Sequence, residues 1–265
     1  MPVPKEAEWK LMYGLHVTLK TKDAAAAKSA ITEDVTFART QSYATRSSGV
    51  VRPGTSVHFS LLGTNTTGSG RYPPSPLEAD KAVWVEQWES KEEFEALPYV
   101  APGMPKSSAR AHVAALVPDL GERLATGSVV EDLAIIEGPM WHIEKPMQGQ
   151  GGPAYTIDLT WRCKSVEAAM AVVEAHKKQG LAQLEKEPGA LRYTVVPPVG
   201  DNTTVRWIAG FTDLAAHNSH AKDYDYAEIG VAKLMVASAK SSPAVDGACR
   251  EYADATHMQR FVSKY

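Results

Sequence analysis

Val17-Thr18-Leu19-Lys20-Thr21-Lys22-Asp23-Ala24 and Leu159-Thr160-Trp161-Arg162-Cys163-Lys164-Ser165-Val166 read alike: each alternates along a strand and then runs into an Ala-rich segment with helical character. Self-similarity at this spacing makes a repeat the first hypothesis for the whole chain. Each helix is followed by Pro-Gly, at Pro53-Gly54 and Pro188-Gly189, where Pro cannot continue a helix and Gly accepts a turn. Strands follow at Ser56–Leu62 and Ala190–Val196, and again at Ala82–Trp88 and Val205–Phe211, so that Trp84 matches Trp207 and Trp88 matches Phe211. Helical segments begin after Ser90 and Asp213, both suited to N-caps, and last strands are expected near Leu133–Ile136 and Val245–Tyr252.

The order β-α-β-β-α-β thus occurs twice, which predicts an α+β protein of two tandem ferredoxin-like modules, 8–146 and 153–253, joined at the Gly-rich stretch 149–152. One module leaves a sheet face uncovered, and the second copy can cover it, sheet to sheet, as an internal pseudo-dimer. Fusion frees the copies to diverge. The first carries a long Gly/Ser/Pro-rich connection, Gly63–Asp80, where the second has a short one.

With 265 residues, 44% of them hydrophobic, the chain can bury a sizeable core. A net charge of -3 and the lack of a Lys/Arg run argue against nucleic acid and anionic membranes as partners. No stretch of about 18 apolar residues occurs, and MPVPKEAEWK has no signal-peptide pattern, so a cytoplasmic protein is expected. Two cysteines, Cys163 and Cys249, form no metal motif and are expected as packed thiols. GxGxxG, Walker A, HExxH and GxSxG patterns are all missing from the sequence.

The stretches Glu187-Pro188-Gly189-Ala190-Leu191-Arg192-Tyr193 and Trp88-Glu89-Ser90-Lys91-Glu92-Glu93-Phe94 resemble the antibiotic biosynthesis monooxygenase family of the dimeric α-β barrel superfamily, one stretch from each copy. The resemblance implies a dimeric α-β barrel within one chain and, in each module, a pocket between helices and sheet. Relatives of this kind admit flat aromatic polyketides, quinols or heme. Some oxygenate anthrone-type substrates with no metal or flavin, because a deprotonated, electron-rich substrate itself passes an electron to oxygen. Such an enzyme needs a shaped apolar pocket, a proton acceptor and donors for an oxyanion.

Aligning the copies sets His16 opposite Asp158 on the first strand, where heme-degrading relatives carry a pocket-facing Asn; a solvent-facing or barrel-end polar residue is the alternative. His58 and Tyr193 each fall five residues past the Pro of Pro-Gly, as a candidate base and a candidate oxyanion donor. Trp84, Glu86 and Trp88 alternate and share a face, either toward a pocket, where the indoles stack on a ring and Glu86 acts as a base, or toward the other sheet. The second copy has Trp207, Ala209 and Phe211 there: an aromatic wall without the acid. His220 lies nine residues after Phe211, where the resemblance implies a helix His, which ligates iron in heme-degrading members; Phe211 stands where those members have Trp, which argues against heme cleavage. His217 is expected as its exposed neighbour on the helix. His16, His58 and Glu86 would suit a non-heme iron triad only if all three converge from one face.

The expected activity is cofactor-independent monooxygenation of an aromatic polyketide or related phenol of secondary metabolism. Its catalytic candidates are His58, His220, Tyr193, Asp158 and Glu86, and its substrate-binding candidates Trp84, Trp88, Trp207, Phe211 and His16. No metal or other cofactor is expected; the partners are the aromatic substrate and molecular oxygen, and the chain is a monomer or a homodimer. The alternatives are a cyclase, isomerase or lyase using the same pocket for acid-base work, and a non-catalytic protein that binds a hydrophobic ligand.

Overall fold

The computed structural model describes residues 8–29, 55–63, 78–92, 129–145, 155–197, 203–223, 234, 250–254 and 259–262. It is an α+β protein built on antiparallel strands: β1 (Glu8–Lys20), β2 (Thr55–Gly63), β3 (Lys81–Trp88), β4 (Val129–Glu144), β5 (Tyr155–Arg162), β6 (Ala190–Val196), β7 (Thr204–Phe211), β8 (Arg250–Asp254) and β9 (Gln259–Val262). Helix α1 spans Val166–Lys186 and α2 spans Leu214–Asp223. The chain divides into two compact units, the first comprising Met1–Lys10, Thr64–Leu77 and Gly138–Asp254, the second Leu11–Gly63, Glu78–Glu137 and Ala255–Tyr265.

In the first unit the strand order is β4-β6-β7-β5-β8. Helix α1 starts where Ser165, in extended conformation, accepts a hydrogen bond from the Ala168 amide at 3.1 Å, satisfying one of the orphan donors of the first turn. Its buried residues Ala169, Val172, Val173, His176 and Leu184 recur at helical spacing and form one stripe against the sheet. Strand residues Tyr155, Ile157, Leu159 and Trp161 alternate into the same core, with Tyr193, Val195, Val205, Trp207, Ala209 and Phe211 from the neighbouring strands. Burying each of the larger of these side chains stabilises the unit by about 1.5–3 kcal/mol. Cys163 joins this core as a free thiol, its pKa raised to about 11 by burial; Cys249 lies outside the described residues.

In the second unit the order is β4-β1-β3-β2-β9. Here Asp23 accepts from the Ala26 amide at 2.8 Å to open the helical residues 24–29, the counterpart of Ser165. The registers also correspond. Tyr13↔Trp88 and Val17↔Trp84 have Tyr155↔Phe211 and Leu159↔Trp207 as equivalents, and Ser60↔Trp84 has Val195↔Trp207.

One strand is longer than the sequence-based expectation. The strand expected near 133–136 runs from Val129 to Glu144, with Gly138 at φ 119 where the chain passes from the second unit to the first; only Gly adopts that φ without strain. The last strand of the first unit is described over Arg250–Asp254 and coincides with the expected Val245–Tyr252 at residues 250–252; residues 245–249 are outside the described residues. The expected linker 149–152, most of the insertion between 63 and 80, and the part beyond residue 92 of the segment expected to be helical lie there too.

Candidate functional site

The helix-facing side of the first unit gathers a set of aromatic and ionisable residues. The register pairs Val195 and Leu159 with Trp207, and Tyr193 with Ala209, so Tyr193 and Trp207 are diagonal neighbours on one face. Their rings stack 5.6 Å apart at 22°. Trp161, from β5, stacks on the other side of the Trp207 indole at 5.7 Å.

Helix α2 delivers the histidines. Asp213 caps it by accepting from the Ala216 amide at 2.7 Å, and the helical period then turns both His217 and His220 toward the sheet. His217 is 1% exposed, packed on Tyr155 and Phe211 with ring centroids 5.5 and 5.2 Å away, so it is a core residue and not the exposed neighbour expected from the sequence. His220, 4% exposed, lies over Trp207 (6.1 Å, 20°) and against Phe211 (5.2 Å).

The His220 Nδ1 is 2.8 Å from the Glu187 carboxylate and 3.4 Å from the Tyr193 hydroxyl. With Nδ1–H donated to Glu187, neutral His220 carries its lone pair on Nε2, the arrangement of a carboxylate-oriented general base. Glu187 is the residue that terminates α1, and its side chain is 24% exposed, so the pair links the buried rings to the surface. Two glycines permit the packing. A Cβ on Gly189 would lie 2.4 Å from the Ala216 Cβ, and one on Gly180 would lie 3.2 Å from the Trp141 and Tyr193 rings.

Sequence reading did not single out His176 or the role of Glu187. His176 stacks on Trp161 at 4.6 Å and 6°, and burial, together with the nearby His220, lowers its pKa to about 3. It is therefore neutral at any physiological pH. The signal for His176 was its place in the apolar stripe of α1; for Glu187 it was only adjacency to Pro188-Gly189.

The structure brings Tyr193, Trp207, Phe211 and His220 together, but not Asp158. Asp158 is out of phase with Leu159 and lies on the other sheet face, 4% exposed, where Arg206 binds its two oxygens at 2.8 and 2.5 Å. That face holds further buried polar pairs, Arg192 with Thr156 at 2.8 Å and His142 with Thr194 at 2.7 Å.

In the second unit His16 stands opposite Val85, the register position corresponding to Asp158 opposite Ile208, and is likewise buried. His58 pairs in register with Glu86, as Tyr193 does with Ala209, and Trp84 with Ser60; the side chains of His58, Trp84 and Glu86 lie outside the described residues. Trp88 is buried opposite Tyr13. Residues 82, 84, 86 and 88 form one row, and Ala82 of that row packs against Ala27 of the helical segment. His16, opposite Val85, belongs to the alternate row. Among the described residues no group of three or more His, Cys, Asp or Glu could hold a metal ion, and no helix is long and apolar enough to cross a membrane.

No protein-family model and no curated protein matches the sequence. Among solved structures, a candidate monooxygenase from Lactobacillus acidophilus NCFM is similar with a TM-score of 0.54 at 13% identity, over 92% of this chain and 95% of that one. A second candidate monooxygenase, from Fusobacterium nucleatum subsp. nucleatum ATCC 25586, gives a TM-score of 0.53 at 12% identity, over 92% of each chain. At these identities the likeness is one of fold: the chain has the α+β fold of these monooxygenase-type proteins.

Proposed function

We propose that the chain is a tandem of two ferredoxin-like modules, 8–146 and 153–253, and that it is a cofactor-independent monooxygenase of an aromatic polyketide or related phenol. The common registers of the two units support the tandem reading. The observation that carries the function is the Glu187–His220 pair beside the Tyr193 hydroxyl, within an aromatic wall of Trp207 and Phe211.

In this reading His220 Nε2 removes a proton from a phenol or from a CH2 flanked by aromatic rings, Glu187 stabilises the imidazolium, and Tyr193 donates to the substrate oxygen. The resulting anion passes one electron to dioxygen, the two radicals combine as a peroxide, and loss of water leaves a carbonyl. One O2 is consumed per CH2 oxidised, with one oxygen atom in the product and one in water.

The test is oxygen uptake by the purified chain with anthrone-like substrates and 18O2. Incorporation of one labelled atom, lowered about 10²–10⁴-fold in His220→Ala, is expected. Turnover without oxygen would replace oxygenation by acid-base cyclisation or isomerisation at the same pair. The alternative of a non-catalytic ligand-binding protein keeps the same aromatic wall of Trp207, Tyr193 and Phe211 for contact with a flat apolar ligand and assigns no proton transfer to His220. Substrate binding with no product in any atmosphere would establish it.

A further inference from the structure

Glu187 can orient His220 only if its own position is held, and it follows the last turn of α1, where a helix end frays most readily. Its backbone amide donates to the Gln183 carbonyl at 2.8 Å, which closes that turn. Its carbonyl receives the ammonium of Lys145, which also lies 3.4 Å from the Pro188 carbonyl. Lys145 in turn is tied by its backbone amide to the Leu191 carbonyl at 2.8 Å, just beyond the rung Glu144↔Arg192 that joins β4 to β6. One side chain from the end of β4 thus grips two successive carbonyls of the turn that carries Glu187. A cation at a helix C-terminus also complements the helix dipole.

We propose that Lys145 is a positioning residue: by holding the Glu187 and Pro188 carbonyls it aims the Glu187 carboxylate at His220 Nδ1 and so selects the Nδ1–H tautomer. The role rests on the reading of Glu187 and His220 as the working pair. Partial burial disfavours the charged form of Lys145, with Glu187 opposing that shift, so the ammonium is placed there against a desolvation cost. The ionisable groups around the pair include His176 from α1, Tyr193 from β6 and Lys145 just past β4.

Electrostatics and positioning predict opposite results. If Lys145 acted only through charge, its removal would strengthen the field of Glu187 and favour Nδ1–H further. If it positions Glu187, its removal frees the carboxylate, and His220 relaxes toward the Nε2–H tautomer that imidazole favours in water.

Imidazole 15N NMR of the substrate-free full chain at about pH 9, where an ordinary His is neutral, reads the tautomer directly. Lys145→Met is expected to lower the Nδ1–H to Nε2–H ratio of His220 at least about fivefold, as loss of a charge-assisted hydrogen bond requires. Lys145→Arg, which keeps a cationic donor, should restore most of the ratio. An unchanged or increased ratio in Lys145→Met overturns the proposal. Should that variant not fold, Lys145→Gln is measured in its place against the same two outcomes. A lowered ratio in a protein that turns over no aromatic substrate would keep the positioning role and refute the enzymatic reading; an unchanged ratio with turnover intact would do the reverse.

Discussion

The His220 Nδ1 and the Glu187 carboxylate meet at 2.8 Å although they lie 33 residues apart, one on α2 and the other just past the end of α1. Removing the carboxylate's charge while keeping its shape separates orientation from packing. Glu187→Gln should lower kcat/KM for an aromatic substrate about 10²-fold with KM nearly unchanged, because stabilisation of the imidazolium develops only as the proton is transferred. A steady-state comparison with the wild type decides it; an equal loss through KM alone would make Glu187 a binding group.

His176 makes the first unit acid-sensitive. Its folded-state pKa of about 3 lies well below the usual His value of about 6.5, so between these limits the unfolded chain binds more protons than the folded one. The contribution to stability is complete above about pH 6.5 and is lost as the pH falls toward 3. From pH 7 to pH 4 the loss is on the order of 3 kcal/mol. Urea unfolding at both pH values should show it. His176→Phe, which keeps a ring against Trp161, should remove most of that difference; an equal pH dependence in both proteins would place the acid sensitivity elsewhere.

Much of the fold was legible because alternation and punctuation repeat. Pairing Trp84 with Trp207 by sequence also predicts equal registers, and Val17↔Trp84 and Leu159↔Trp207 have them. The site was legible in part for the same reason: Tyr193, Trp207 and Phe211 descend to one face by parity, and His220 follows from the helical period. Asp158 was misplaced beside them because alternation fixes the two faces of one strand, whereas the face shared across strands depends on register. His176 was hidden by a pattern that reads as core, which it is. The direction of Glu187 depends on how α2 docks on the turn at Gly189, a tertiary contact with no local pattern.

That docking is sterically tight. Gly189 has Ala216 of α2 so near that an added Cβ would sit 2.4 Å from the Ala216 Cβ and 3.1 Å from the Thr212 hydroxyl oxygen. Neither neighbour is the far end of a flexible side chain, so α2 must move. Gly189→Ala is expected to destabilise the protein by about 1–3 kcal/mol, the usual cost of overpacking. It should also shift the His220 imidazole resonances while leaving those of His142, on the other sheet face, nearly unmoved. Thermal unfolding with histidine NMR tests both halves of the expectation.

Asp158 separates stability from chemistry. Arg206 binds both of its oxygens on the face away from Tyr193 and His220, and the carboxylate is almost completely buried while Arg206 remains partly exposed. Asp158→Asn keeps the shape but leaves Arg206 with a neutral partner that can accept at one oxygen only, which should cost about 1–3 kcal/mol of unfolding free energy. Turnover should change less than about threefold, since the altered charge lies across the sheet from the Glu187–His220 pair. Arg206→Met alone should destabilise by a similar amount. In the double variant, the two losses should add to less than their sum, because either single change already breaks the same pair. Loss of kcat in Asp158→Asn with stability retained would instead return Asp158 to the reacting groups and move the site to the other face of the sheet.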